Sequence, residues 1–249
     1  MIESLFPEHE LIGPKGKVDL HSHILPGVDD GCTSLKDSLD CARAMVSAGY
    51  AHQFCTPHYW SSMPENTVGN ITKWTSLLQG RIDEAGIPLR LHPGGEIGLR
   101  RGLTDTNINK LPTFGMKRKF ALCDLWAARL PDFFEPTVRW MQKAGITVIL
   151  AHPERMEAVQ SDPKLADYFA EIGVLLQGNL QCLNDPIGTP TRTVGDRYLK
   201  EGRYTFLGSD THNLSTLGHR LSGLRNALKM VGAEEITKLT VTNPQMLLT

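Results

Sequence analysis

Short apolar runs alternate with longer runs of amphipathic character along the whole chain. The short runs predict strands at 17–20, 51–55, 88–91, 119–123, 146–150, 174–177 and 204–207. The longer runs predict helices at 34–48, 67–85, 131–143, 162–171, 191–201 and 215–230. Their stops are Gly49, Gly86, Gly145, Gly173, Gly202 and Gly232. Thr33 or Ser34 caps the first helix, and Pro163 stands just inside the fourth. Alternating strands and helices make a parallel sheet with helices outside. Seven strand positions in one domain of this size predict a closed or nearly closed α/β barrel. An open doubly wound sheet is the structural alternative.

The chain has 249 residues, enough for one barrel or two small domains. No linker-like stretch or fixed-period repeat divides it. Lys+Arg number 26 and Asp+Glu 27, so the net charge is −1, which argues against a general nucleic-acid surface. No apolar run approaches the roughly 18 residues of a membrane span. The N-terminal MIESLFPEHELIGPKGK is too polar and acidic to read as a signal peptide. The scattered cysteines Cys32, Cys41, Cys55, Cys123 and Cys182 read as reduced thiols. These features predict a cytoplasmic protein without membrane insertion.

Chemistry gathers just past the strands. The first strand runs into D-L-H-S-H-I-L-P-G-V-D-D-G, Asp19 to Gly31, and extended geometry points His21 and His23 to one side. Beyond the next strands come His58 in T-P-H, Glu96 in G-G-E, Asp124, His152 and Arg155 in A-H-P-E-R, and Asp210 and His212 in S-D-T-H-N. The C-terminal strand ends form the active face of α/β barrels. Five histidines (His21, His23, His58, His152, His212) and four carboxylates (Asp30, Glu96, Asp124, Asp210) therefore converge on one rim. Nine nitrogen and oxygen donors without cysteine suit two or three ions of manganese, iron or zinc. With three divalent ions, four carboxylates and a bridging hydroxide, about one positive charge remains, and Arg155 makes it about two. A phosphate monoester dianion neutralises that charge, so phosphoester hydrolysis is the favoured reaction.

In this order, D-L-H-S-H-I-L-P-G-V-D-D-G, T-P-H, G-G-E-I, A-H-P-E-R and S-D-T-H-N resemble the polymerase-and-histidinol-phosphatase (PHP) superfamily. V-D-D-G after H-S-H, together with A-H-P-E-R, most resembles its bacterial tyrosine-protein phosphatases of capsule and exopolysaccharide synthesis, the CpsB/CapC family. The likeness runs from about Val18 to Pro244. It implies a distorted TIM-like (βα)7 barrel over 17–249, as a single catalytic domain after an extension at 1–16. It further implies three divalent ions, usually manganese, and a phosphotyrosine-bearing substrate such as a tyrosine kinase or its tail. By position, His21, His23, Glu96 and Asp210 take one ion, with Glu96 bridging to a second held by Asp124 and His152. Asp30, His58 and His212 take the third, and Arg155 binds phosphate. A metal-bridging hydroxide is the implied nucleophile. Two positions depart from the family pattern. F-A-L-C-D-L-W offers Asp124 where the family usually has Glu, which predicts a shifted or weaker second site. After S-D-T-H-N the next arginine, Arg220, comes late, and it is the candidate second phosphate contact.

Two alternatives stand beside this reading. One is a phosphatase of the same superfamily acting on histidinol phosphate or a nucleotide, and the other is a metal-binding scaffold or sensor. The sequence also allows a homo-oligomer. Cys123 and Arg129 mimic the Cys-x5-Arg loop of thiol-based phosphatases, but D-L-W-A-A between them has no glycine to wrap a phosphate. Coincidence is the expectation. His9, His52, His92 and His219 read as structural or exposed, and Trp126, Trp140, Phe133 and Phe134 as barrel or helix packing, with substrate platforms as the functional alternative. Arg100–Arg101 and Lys117–Lys119 read as solvated surface, with steering of an acidic phosphotyrosine tail as the functional alternative. Asp19 either orients His21 or serves as a buried cap. Asn179 either touches substrate or shapes a turn.

Overall fold

Every predicted strand position forms a strand, and two of them resume past a break as a second, short strand. The computed structural model describes residues 11–249, so His9 and residues 1–10 of the expected extension lie outside the described residues. The strands are β1 (Lys17–Asp19), β2 (Tyr50–Cys55), β3 (His58–Tyr59), β4 (Arg90–Pro93), β5 (Glu96–Gly98), β6 (Phe120–Asp124), β7 (Thr147–Ala151), β8 (Leu175–Asn179) and β9 (Phe206–Gly208). All pair in parallel, in a three-stranded sheet β1-β2-β4 and a six-stranded sheet β3-β5-β6-β7-β8-β9. The breaks fall at Pro57, which has no N–H to give a ladder, and at Gly94–Gly95. Hydrogen bonds from Thr56 N to Ser22 O and from Glu96 N to Pro57 O stitch across them.

Spatial order follows chain order without reversal. A doubly wound sheet requires a reversal, so that alternative is excluded. A parallel bridge between Ser22 and Thr211 joins the first and last strand positions at their C-terminal ends. Asp210 N donates to His21 O at 2.7 Å and His23 N to Thr211 O at 2.8 Å. The expected distorted α/β barrel thus takes the form of two parallel sheets whose outer strands meet at the rim that carries the candidate ligands.

The helices are α1 (Leu35–Ser47), α2 (Val68–Glu84), α3 (Phe134–Lys143), α4 (Glu157–Ser161), α5 (Leu165–Glu171), α6 (Pro190–Lys200), α7 (Leu214–Thr237) and α8 (Gln245–Leu248). Ser34, Thr67, Thr189 and Asn213 cap α1, α2, α6 and α7 by accepting backbone N–H bonds. Between β5 and β6 three short 3-10 turns replace a helix. The helix expected at 162–171 forms as α5, starting after Pro163, and α4 is an additional short helix before it. The last stop also differs: the chain kinks at Gly232 (φ 80°, ψ 172°) and coils on to Thr237. No helix of the described residues is long and apolar enough to cross a membrane.

Strand alternation sorts the core into two layers. Val18, Leu20, Phe54, Leu122, Ile149 and Phe206 pack together inside, with Phe114 and Leu247. The opposite faces, including Cys55, Cys123 and Leu150, pack under the helices with Met45, Phe134 and Leu224. Cys123 is fully buried in this outer layer, and Arg129 is exposed. Burial, then the neighbouring Asp124 carboxylate, pushes the Cys123 thiol well above its usual range. A protonated thiol under the helices cannot serve as a nucleophile at the rim. Cys123→Ser is expected to keep turnover and to lose about 1–3 kcal/mol of stability for burying a hydroxyl. Loss of turnover with the metals still bound, in paired kinetics and metal analysis, would overturn that assignment.

Candidate metal centre

The nine predicted donors come together at the rim. Asp30, on the loop after β1, is the exposed member at 60% of its side chain, and seven of the other eight are buried, with His212 at 18%. His23, Asp30, His58 and His212 offer atoms within 4.8 Å of one another, as do His21, His23 and Glu96, and also His58, Glu96 and Asp124. Glu96 is central. Its Oε1 lies 2.9 Å from His152 Nε2, and its Oε2 lies 2.8 Å from His58 Nδ1. Asp210 Oδ1 lies 3.4 Å from Nε2 of both His21 and His23. The grouping differs in three respects from the ligand sets the resemblance implies: His23 joins Asp30, His58 and His212, Asp210 stands outside the group of His21, His23 and Glu96, and His58 rather than His152 completes the group with Asp124 and Glu96.

Two donors sit on strained backbone. His152 has φ 35° and Asp210 φ 53°, in the left-handed region. Such outliers cost about 1–3 kcal/mol each and collect at functional sites. Here they turn both side chains onto the centre directly after β7 and β9.

Electrostatics bind the cluster together. Burial opposes ionisation of Glu96, but His21, His152 and His23 outweigh it and hold the carboxyl well below its usual range. Burial likewise opposes ionisation of Asp210, and His21, His23, Arg155 and Arg220 hold it well below. Asp124 goes the other way: burial and then the Glu96 charge raise it to about 6. His23 overcomes its burial through Asp29, Asp210 and Glu96 and is held well above its usual value. Protons on the histidines and divalent cations are alternative ways to balance these carboxylates.

Several residues around the donors were not predicted. Asp29, the first aspartate of V-D-D-G, is buried and accepts from His23 Nδ1 at 2.6 Å, His58 N at 3.1 Å and Gly31 N at 3.0 Å. Gln177 holds His21 Nδ1 at 2.8 Å. The signal for Gln177 was present, as a polar side chain ending the apolar run V-L-L. Asp19 does not take that place: it accepts from Ser209 N, Ser209 Oγ and Gln53 and ties β1 to the end of β9. Asn179 donates to Asp210 Oδ2 at 2.8 Å and so orients a donor. Arg155 and Arg220 converge on the same Asp210 oxygen, at 3.0 and 3.3 Å. Arg155 is 19% exposed and Arg220 is buried, donating also to Ser209 O. The expected packing role holds for Phe134, Phe133 and Trp140. Trp126 departs from it: it is 63% exposed at the rim and donates Nε1 to Asp124 Oδ2 at 3.0 Å. Its N–H finds that partner only at the solvent side of the strand end. His52 and His92 pair with each other at 3.0 Å, and His219 pairs with Asn184 at 2.9 Å, both apart from the donor groups.

The fit to metal ions rests on atoms without partners. His58 Nδ1, Glu96 Oε2 and Asp124 Oδ1 are buried and make no well-aligned hydrogen bond; His58 Nδ1 and Glu96 Oε2 face each other at 2.8 Å, and all three residues belong to one donor group. Each such orphan costs about 1–3 kcal/mol. A cation coordinated by all three removes the cost, and histidine with carboxylate is the donor set of manganese, iron or zinc.

Fold and rim together define an α/β protein with a histidine–carboxylate centre at the ends of parallel strands. Residues 17–249 match the family model described as capsular polysaccharide synthesis, CpsB/CapC, and the chain belongs to that family. The tyrosine-protein phosphatase YwqE of Bacillus subtilis is 26% identical over 232 residues, covering 93% of this chain and 91% of the relative. The tyrosine-protein phosphatase CpsB of Streptococcus agalactiae is 25% identical over 241 residues, covering 93% and 98%. A crystal structure from work on YwqE of B. subtilis and CpsB of Streptococcus pneumoniae, described as unique metal-dependent tyrosine phosphatases, superposes with a TM-score of 0.83. It is 27% identical, and 93% of this chain and 94% of that one are covered.

Proposed function

We propose that this chain is a metal-dependent protein-tyrosine phosphatase of capsular or exopolysaccharide synthesis, acting on a phosphotyrosine-bearing protein such as a tyrosine kinase. The observation that carries the reading is the nine-donor rim with its three orphaned ligand atoms, in a chain whose family relatives are named tyrosine-protein phosphatases. In this reading His21, His23, Asp30, His58, Glu96, Asp124, His152, Asp210 and His212 hold three divalent ions, with manganese the first expectation. Bound there, the ions would supply Lewis-acid stabilisation of phosphate charge and an acidified water. Residues 17–249 serve as one catalytic domain.

The chain's own groups do the rest. Arg155 contacts the phosphate as the more open guanidinium, and its planar fork suits phosphate oxygens. Arg220 lies beside it, deeper, as the second guanidinium. Gln177 and Asp29 fix the ring orientations of His21 and His23, and Asn179 fixes Asp210. Such preorganised groups stabilise the transition state without reorganising during the reaction.

Turnover of a phosphotyrosine peptide against histidinol phosphate, with manganese present, tests the assignment. Preference for the peptide supports it, and preference for histidinol phosphate favours the small-molecule alternative. Arg155→Ala is expected to cut phosphotyrosine turnover about 100- to 1,000-fold. Metal content should stay near normal, because Asn179 and Arg220 still hold Asp210. An Arg155→Ala protein without its metals would show Arg155 to be part of the ligand scaffold.

Asp124 gives a second test. Asp124→Glu is expected to preserve or raise turnover by restoring the family's longer carboxylate. Asp124→Ala should lose an ion per chain and at least about 100-fold in turnover, the upper range for disturbed metal sites. Full metal content and activity in Asp124→Ala would mean that another residue is the ligand.

A further inference from the structure

Beside the centre, on the β3–β5–β6 side, lies a cavity of about 310 Å³ lined by Trp60, Gly98, Arg100, Asp124 and Trp126. That volume is at the lower end of small-ligand pockets. Both indoles are tied to groups of the centre. Trp60 stacks on His58 with ring centroids 3.8 Å apart and an interplanar angle of 23°. Trp126 donates to Asp124 and lies 5.8 Å from the His152 ring. Two aromatic side chains thus stand on the strand ends next to the donors, and one of them is largely exposed to water. Leaving an indole so exposed forgoes burial of one of the largest apolar surfaces a side chain can offer.

The cavity wall depends on a glycine. A Cβ at Gly98 would stand 2.6 Å from Trp60 Cδ1 and 2.8 Å from its Nε1. No side chain fits there, so the Trp60 ring can approach β5 this closely only because this residue is Gly.

Arg100 supplies the second feature. Its Nη1 is buried, without a hydrogen-bond partner among the described residues. Its neighbour Arg101 is paired with Asp132. A guanidinium that lines an aromatic cavity, with one nitrogen lacking a protein partner, suits an anion.

Resting on the phosphatase reading above, we propose that this cavity seats the aromatic ring of the substrate phosphotyrosine, and that Arg100 binds the carboxylate of an acidic residue next to it. Arg155 and Arg220 approach the centre from Asp210, on the opposite side of the rim. A phosphate at the centre therefore sends its ester oxygen and ring toward Trp60 and Trp126. A phosphoserine or glycerol phosphate has no face to offer these indoles. The acidic neighbour distinguishes a peptide from a free nucleotide.

Two measurements on the full chain separate this inference from the phosphatase reading. The first is calorimetric binding of a non-hydrolysable phosphonomethyl-phenylalanine peptide with Glu beside the phosphonate. Trp126→Ala should weaken it about tenfold, the scale of one lost aromatic contact. Trp126→Phe should restore most of the loss, although it lacks the N–H to Asp124. Arg100→Gln should remove the preference for Glu over Ala at the neighbouring position. The second is the ratio of kcat/KM for phosphotyrosine peptide to that for glycerol phosphate, which should fall about tenfold in Trp126→Ala and in Trp60→Ala, mainly through KM. If both substrates fall equally and metal is lost, the indoles only brace ligands and the proposal is wrong. Tighter, Trp-dependent binding of a nucleoside monophosphate would also overturn it. Trp-dependent peptide binding without any hydrolysis would uphold the cavity and refute the phosphatase reading.

Discussion

His21→Ala and Asp210→Ala are each expected to abolish phosphatase activity, with turnover falling about 1,000-fold or more, because each would break a centre that provides several kcal/mol of transition-state stabilisation. The geometry makes both changes severe. His21 Nε2 sits within 3.4 Å of Glu96 and of Asp210, and Gln177 locks its other nitrogen. Removing its ring takes a donor from two carboxylates at once. Asp210 anchors more. One oxygen faces His21 and His23, and the other takes Asn179, Arg155 and Arg220. Its loss leaves two guanidiniums without their carboxylate in a buried site. Metal analysis and steady-state kinetics on folded variants check the expectation. Wild-type metal content and turnover in either variant would contradict the centre.

Gly31→Ala has the second large effect, and it comes from the backbone. A Cβ at residue 31 would lie 2.0 Å from His23 O and 2.4 Å from His23 Cβ. Neither neighbour can move away, because His23 O already accepts from Cys32 N at 3.0 Å and His23 N donates to Thr211 O. The loop must shift instead, carrying Asp30 away from His58 and His212 and Asp29 away from His23. Overpacking of this kind costs about 1–3 kcal/mol or more, and the resulting fall in Tm is about 5–10 °C for a chain of this length. Thermal unfolding should show that drop, and metal analysis should show loss of the ion held by Asp30. An unchanged Tm with full metal content would mean the loop is not packed on His23 as described.

Much of this was legible in the residues. Glycine stops and apolar runs located the strands, because a helix–Gly–strand rhythm has few other solutions. The donors were legible because all but Asp30 stand within a few residues of a strand end, where parallel topology forces convergence. The break of β2 at Pro57 and of β4 at Gly94–Gly95 was not, since each looked like one strand with its trailing loop. Asp29 escaped notice because the pair Asp29–Asp30 gives no sign of which member faces the cations and which holds His23. Only the turn through Gly31 decides it. Trp126 was read as packing because an indole is usually buried. Its hydrogen bond to Asp124 depends on how the chain turns just past the end of β6, a relation that spacing alone does not express. Arg100 was legible only as half of the basic pair Arg100–Arg101, Trp60 carried no pattern, and the cavity they share beside Gly98 exists only in three dimensions.

The central claim is that phosphotyrosine hydrolysis depends on cations held at this rim. It is tested most directly by following turnover of a phosphotyrosine peptide through chelation and manganese re-addition, with bound metal counted on the same samples. The account predicts that activity disappears with the metal, returns with two or three ions per chain, and is indifferent to thiol alkylation. Turnover that persists in fully chelated protein, or that is lost on alkylation while the metals remain, would contradict it.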